Sequence, residues 1–290
     1  MLRFAERIKI FKTKIFLLAI LAIICAAGAC SADGEKLLRF YGLDVGQGDS
    51  FFFIFPDGKT MLIDAGPEDA GRKIVRYIKS CGVKKIDLLV ATHPHSDHIG
   101  GMQAVLKNFE IGKIWDSGYN HGSKPQEDFY RRIKKENIPF GRPKRGYSEK
   151  FGGAVIDVLA PSKLLKGTAR DANNNCIVLR ITYGSVSFLM TADMEREQRM
   201  TIPALPQSTV LKAAHHGSYN GTDRHVLDSV APKFVVLSYG KGNPYGYPHK
   251  EIVGDIAKRK LIRFDTADGV VKLKTDGQNI SYPSEAEGKK

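Results

Sequence analysis

Three histidines and one aspartate fall within six consecutive positions, as His93, His95, Asp97 and His98 in the run Thr92-His93-Pro94-His95-Ser96-Asp97-His98. Neutral imidazole is the commonest protein metal ligand, and a carboxylate adds a hard anionic oxygen. The chain has eight histidines in 290 residues, so three in six positions argue against a polar loop of ordinary composition. Other side chains could join them: Asp64 after Met61-Leu62-Ile63, Asp193 after Met190-Thr191-Ala192, Lys212, the pair His215-His216, and His249. Each has an ordinary role when read alone. Asp64 would be a hydrogen bonder at a strand end, Asp193 a cap for a helix beginning near Met194, and the paired histidines surface residues. Only the joint pattern makes a site.

Elements that could position these residues are legible around them. The apolar run 86–91 reads as a buried strand ending just before His93. Loop residues at a strand end can converge on one point, which residues inside a strand cannot. Strands are expected over 37–44, 50–55 and 60–63, with Pro56-Asp57-Gly58-Lys59 as the turn of a hairpin. Further strands are expected over 155–159, 176–182, 186–190, 210–213, 234–237 and 270–273. Helical patterns cover 68–80, 99–109, 126–137 and 251–260, and 141–150 reads as a basic loop. Two halves, each of strands followed by helices, imply two packed sheets with helices outside.

The run His93-x-His95-x-Asp97-His98 resembles the signature of the metallo-β-lactamase superfamily. Four other segments are similar to the hydrolase domain of ComEC-type competence proteins or to the wider superfamily. They are Leu43-Asp44-Val45-Gly46-Gln47-Gly48-Asp49-Ser50, Met61-Leu62-Ile63-Asp64-Ala65-Gly66, Phe188-Leu189-Met190-Thr191-Ala192-Asp193, and Leu211-Lys212-Ala213-Ala214-His215-His216-Gly217-Ser218. The resemblance runs from Leu43 to about His249. It implies an α/β fold, the αββα sandwich of two mixed sheets with helices outside, over residues 36–283.

The resemblance also implies a ligand set. His93 and His95 hold a first cation, Asp97 and His98 a second, and Asp193 bridges them. One of His215 and His216 completes the second site, with His215 slightly favoured, and Asp64 braces the metal loop. Mixed imidazole and carboxylate ligands suit Zn2+ or Mn2+. Two close cations lower the pKa of a shared water to near 7, which implies hydrolysis. Asp97 would orient that water. The remaining histidine of the pair, His216, or else His249, would protonate the leaving group. Lys212 and the basic segment 124–150 would hold anionic oxygens.

Two departures from the family pattern stand out. Where many members place a histidine to complete the first site, this chain reads Asn173-Asn174-Asn175-Cys176, so the first cation is expected to be held weakly. His121 is the only histidine in the interval and sits in unrelated surroundings. Where relatives read Asn-x-Tyr-Gly-His-Pro, this chain has Asn243-Pro244-Tyr245-Gly246-Tyr247-Pro248-His249.

The formal charge is +13. Residues 1–30 hold five basic residues and Glu6, a net of +4, which leaves +9 for the remainder. Within 124–150, nine Lys and Arg face Glu127, Asp128, Glu136 and Glu149. Such a face concentrates anions, and it also suits an anionic cell surface. With the ComEC-like motifs, it favours a phosphodiester substrate, DNA or a cell-wall polymer. Similar motifs in phosphorylcholine esterases make teichoic acid an alternative. A lactone, thioester or β-lactam hydrolase is another alternative, and a non-catalytic DNA- or wall-binding module a third.

The first thirty residues carry a basic head, the apolar run 15–24 and the small residues before Cys30. That layout predicts export, by cleavage, by a lipid on Cys30, or by a retained membrane helix. Cys81 and Cys176 remain beyond it, and no disulfide framework is expected.

Overall fold

A computed structural model describes residues 36–283. The expectations for the first thirty residues, export and the Cys30 lipid included, lie outside the described residues. Among the described residues, no helix is long and apolar enough to cross a membrane.

The first half contains β1 (Leu38–Gly42), β2 (Phe51–Ile54), β3 (Thr60–Ile63), α1 (Gly71–Ser80), β4 (Lys85–Ala91), α2 (Ser96–Ile99), α3 (Met102–Asn108), β5 (Glu110–Asp116), α4 (Lys124–Glu136) and β6 (Phe140–Gly141). The second half follows with β7 (Ser148–Phe151), β8 (Ala154–Ala160), β9 (Val178–Tyr183), β10 (Val186–Met190), α5 (Arg196–Arg199), β11 (Val210–Lys212), α6 (Arg224–Val230), β12 (Phe234–Leu237), α7 (Lys250–Lys258), β13 (Ile262–Asp265), β14 (Val271–Thr275) and β15 (Ile280–Ser281).

One sheet has the order β15-β14-β1-β2-β3-β4-β5-β6, the other β13-β12-β11-β10-β9-β8-β7. Each combines an antiparallel part with a parallel part, β3 to β6 in the first and β10 to β13 in the second. Strand alternation assigns the faces. Phe51 and Phe53 join Phe188, Met190 and Val236 between the sheets, and Phe40 lies 5.4 Å from Phe188, ring centre to ring centre. Phe52, Leu62 and Leu89 point the other way, onto Ile74, Ile78, Val105 and Phe129 of the helices α1, α3 and α4. Leu189, Leu211 and Val235 do the same for Val226, Ile252 and Ile256 of α6 and α7. The layers are therefore αββα.

Strand β5 was not expected from the sequence. Its Glu-Ile-Gly-Lys-Ile-Trp-Asp carries no clear period, and Gly112 looks like a breaker. Gly112 instead lets β5 lie close to β4, since a Cβ there would come 2.6 Å from the Asp87 carbonyl oxygen. Strands β6 and β7 also reach into the segment 141–150 expected as a basic loop, in which 141 and 148–150 are strand.

Candidate metal centre

The parallel strands of both sheets deliver their carboxyl ends to one place. Asp64 follows β3, Thr92 and His93 follow β4, Asp193 follows β10, His215 and His216 follow β11, and Ser238 follows β12. Such strand ends are where α/β sheets place ligands. The two sheets are tied there by Ile177 N–H donating to the Thr92 carbonyl at 2.9 Å and Ser238 Oγ donating to the Gly48 carbonyl at 2.7 Å. Of the seven non-glycine residues with positive φ among those described, four are here: Asp64, Ala192, His215 and His216. Backbone strain is thus concentrated at the strand ends that carry the polar groups.

His93, His98 and Asp193 each bring a ligand atom within 4.8 Å of one another, and so do Asp97, His98 and His216. Asp193 Oδ1 lies 3.3 Å from His98 Nε2, and its Oδ2 lies 3.8 Å from His93 Nε2 and 3.5 Å from His216 Nε2. Asp97 Oδ2 lies 3.2 Å from His216 Nε2. His95 Nδ1 stands 3.1 Å from His93 Nε2. Two nitrogens on one tetrahedral zinc at about 2.0–2.1 Å would be about 3.4 Å apart. His98 Nε2, His216 Nε2 and Asp193 Oδ1 are buried and make no hydrogen bond. Buried polar atoms without partners are costly unless something else meets them. These converge on one another, so the donor set fits divalent cations.

Groups behind the ligands fix their orientation. Asp64 Oδ2 accepts from His98 Nδ1 at 2.8 Å and from the Thr92 hydroxyl at 2.6 Å, while its Oδ1 accepts from Thr92 N–H at 2.8 Å. His216 Nδ1 lies 2.9 Å from the Ser238 carbonyl oxygen and 3.4 Å from Asp49 Oδ1. Carboxylate or carbonyl partners of this kind set the tautomer of ligating imidazoles.

The field favours positive charge. Burial alone would lower His216, but Asp193, Asp49 and Asp97 hold it up to about 9. Burial likewise opposes charge on His98, yet Asp193, Asp97 and Asp64 carry it well above the ordinary imidazole range. Burial pushes His93 well down, and the neighbouring His98 adds to that. Asp193 is held far below the usual carboxylate range, its burial outweighed by His216, His98 and His215. A field that draws protons onto two imidazoles also draws a divalent cation.

The geometry bears on three of the sequence expectations. The groups of converging ligand atoms include His216 and not His215, although His215 Nε2 also lies 3.7 Å from Asp193 Oδ2. His215 turns its Nδ1 to Glu195 Oε1 at 2.9 Å, and its Nε2 lies 3.4 Å from the Tyr247 hydroxyl. Lys212 is buried and does not line the cavity. Its ammonium pairs with Asp49 Oδ2 at 2.5 Å and donates to the Ala192 carbonyl at 2.7 Å. It is an internal counter-charge, which together with His216 holds the buried Asp49 carboxyl down at about 2. His249 precedes α7 and does not line the cavity; its Nδ1 accepts from Tyr219 N–H at 3.1 Å. Tyr247 occupies the cavity wall instead.

Asp49 and Glu195 were missed. Asp49 stood in the quoted Leu43–Ser50 segment, whose resemblance was the available signal. Glu195 carried none, because its partner His215 is distant in sequence. Asn173 faces the cavity, with Nδ2 3.3 Å from Glu195 Oε1 and 3.4 Å from His215 Nε2. His121 also comes close, its ring centre 5.6 Å from that of His95. The cavity has a volume of about 160 Å³ and is walled, besides the ligands, by Gln47, Arg170, Asn173, His215, Tyr245 and Tyr247.

The fold and this site define a metal-dependent hydrolase. Residues 43–241 match the model of the metallo-beta-lactamase superfamily, and the chain belongs to it. More narrowly, it is similar to ComEC-type competence proteins. It is 28% identical to ComE operon protein 3 of Bacillus subtilis (strain 168) over 80% of this chain and 32% of that protein. It is 30% identical to competence protein ComA of Neisseria gonorrhoeae over 77% of this chain and 30% of that one. The chain thus spans about a third of the length of these relatives. The metallo-beta-lactamase fold protein YhfI from Bacillus subtilis shares the fold, with a TM-score of 0.53 and 17% identity over 79% of this chain and 95% of that one.

Proposed function

We propose that this chain hydrolyses phosphodiesters, with Zn2+ or Mn2+ held by His93, His95, Asp97, His98, Asp193 and His216. The observation that carries the reading is one cavity wall in which the half-exposed Arg170 guanidinium, 3.6 Å from Glu195, stands beside His215, whose Nδ1 lies 2.9 Å from the same buried carboxylate. A phosphodiester needs both: a fixed cation for its non-bridging oxygens and a proton for the departing alkoxide.

When bound, the cations would supply Lewis acidity and an acidified water. The chain's own residues do the rest. Asp97 orients that water, and Asp64 and Ser238 hold His98 and His216 in place from behind. In its doubly protonated form His215 gives its Nε2 proton to the leaving oxygen, with the Glu195 carboxylate 2.9 Å from Nδ1 to balance the charge. Tyr247 lies beside that nitrogen and helps shield it from bulk water. Arg170 anchors the anionic oxygens. At about 160 Å³ the cavity is smaller than the roughly 300–1,000 Å³ of pockets that enclose a drug-sized ligand. It takes the reacting group and leaves most of the substrate outside, which suits a polymer such as DNA or a wall polymer better than a compact lactone or β-lactam.

The test is a panel of bis-para-nitrophenyl phosphate, single- and double-stranded DNA, and choline phosphate, each with added zinc or manganese. Hydrolysis of a diester that is abolished in Asp97→Ala supports the reading. Turnover of choline phosphate alone, or of no member of the panel, contradicts it. The basic, apolar and small succession in residues 1–30 supports the accompanying proposal that the protein is exported. Reporter fusions that stay inside the cell would reject that part.

A further inference from the structure

A second cavity, about 580 Å³, opens beside the first sheet and is lined by Trp115, Gly141, Arg142, Pro143, Lys144, Arg145 and Tyr147. Its cations project from the connection between β6 and β7, and Arg142, Lys144, Arg145 and Tyr147 are all exposed. Lys144 has no carboxylate partner among the described residues. Arg145 donates to the Thr201 carbonyl, which holds its guanidinium without neutralising it. Two carboxylates lie near, and both are engaged. Asp116 is buried, 3.6 Å from Arg142 Nε, and accepts from Gly118 N–H and the Tyr130 hydroxyl. Glu149 accepts from Lys113 at 2.5 and 2.6 Å and from the Tyr147 hydroxyl at 3.1 Å. The groove is therefore cationic on its open side.

Its other feature is aromatic. Tyr147 is 45% exposed and stands edge-on to Trp115, with ring centres 5.5 Å apart. Next to it, the Arg142 guanidinium lies 5.4 Å from the ring centre of Phe140, itself 39% exposed. Open rings interleaved with arginine suit flat, π-bearing groups strung on an anionic backbone. A polyol-phosphate polymer has the charge but nothing to stack.

The position matters as much as the composition. Strands β4, β5 and β6 are parallel neighbours, so their carboxyl ends lie on one rim. His93 and His95 leave that rim after β4, Trp115 is the penultimate residue of β5 and Arg142 follows β6. Adjacent strands are about 4.8 Å apart, which sets the groove about 10 Å from the metal loop. The connection after β5 runs between them, with Gly118 against Arg142 at one end and His121 against His95 at the other.

We propose that this groove is a docking site for single-stranded nucleic acid, gripping bases and phosphates a few nucleotides from the bond held in the metal cavity. The inference rests on the phosphodiesterase reading and names its substrate class. The test is binding of a short fluorescent oligothymidylate to the full chain in EDTA, read by anisotropy across a salt series. A base-free deoxyribose-phosphate strand and poly(glycerol phosphate) serve as comparisons. Tyr147→Leu should weaken oligothymidylate binding about 5- to 150-fold, the range expected for loss of one stacked base. It should leave the base-free strand unaffected. Lys144→Ala should weaken both strands and flatten the log–log salt slope by about 0.7, one phosphate contact. Wild-type affinity in both variants would overturn the proposal, as would poly(glycerol phosphate) binding as tightly as the oligonucleotide. Hydrolysis of bis-para-nitrophenyl phosphate, too small to reach the groove, separates the two readings. Tyr147→Leu should leave it unchanged, and its absence from wild type would sink the phosphodiesterase reading whatever the groove binds.

Discussion

His216 presents Nδ1 to the carbonyl oxygen of Ser238 at 2.9 Å, and a carbonyl can only accept. In the neutral ring that binds a cation, the proton is therefore on Nδ1 and the lone pair on Nε2, which faces Asp97 and Asp193. His215, next in the chain, is braced by a carboxylate instead and faces Tyr247. Adjacent imidazoles are thus turned to different tasks by two consecutive left-handed backbone conformations.

The first prediction separates those tasks. His216→Ala should lower the divalent metal retained per chain, while His215→Ala should retain metal as wild type does and lose about 10²- to 10⁴-fold in turnover of a diester with a poor leaving group, the usual worth of a general acid. A diester with a good leaving group, such as para-nitrophenolate, should be much less sensitive to His215→Ala. Metal analysis and paired kinetics check this. Metal loss in His215→Ala with retention in His216→Ala would reverse the assignment.

Asp64 offers a second test. It takes the Nδ1 proton of His98 and two hydrogen bonds from Thr92, and it holds a left-handed conformation that Asn tolerates as well as Asp. Asp64→Asn keeps the backbone but exchanges a carboxylate acceptor for an amide. Metal affinity, measured by competition with a chelator, should fall about 10- to 100-fold, as is usual when the group orienting a ligand is lost. Unchanged affinity would mean that His98 needs no brace.

The third prediction concerns stability away from the metal. Asp223 caps α6 by accepting from Val226 N–H at 3.0 Å and pairs with Arg199 at 2.8 Å. Burial opposes its charge, but these two partners hold its carboxyl below the usual range. The cap therefore stabilises the fold above the unfolded carboxylate value, near pH 3.8, and that contribution fades as pH falls through the lower folded value. Asp223→Ala should cost about 0.5–2 kcal/mol at pH 7, or a few degrees in Tm. The gap between variant and wild type should narrow below about pH 4. A gap that is constant with pH would remove the carboxylate from the explanation.

Much of this was legible because it is local. His93, His95, Asp97 and His98 sit within one turn of chain, so spacing alone revealed them, and the runs before Asp64 and Asp193 announced strand ends. What stayed hidden depends on partners far apart. Asp49 matters because Lys212 and His216 meet it across the sheets, and Lys212 read as a substrate lysine because its burial could not be seen. The choice between His215 and His216 turns on backbone handedness that no residue type at those positions requires. The strand β5 escaped because Gly112, a breaker by composition, is there a spacer.

The claim beneath all of this is that side chains from both halves of the chain hold divalent metal together. The direct test is metal content per chain after loading with zinc or manganese and exhaustive dialysis, compared between wild type and Asp193→Ala. Asp193 is the carboxylate that His93, His98 and His216 share. Metal retained by wild type and lost by a folded Asp193→Ala is the predicted result. A wild type that keeps no metal, or an Asp193→Ala chain that keeps as much as wild type, would contradict it.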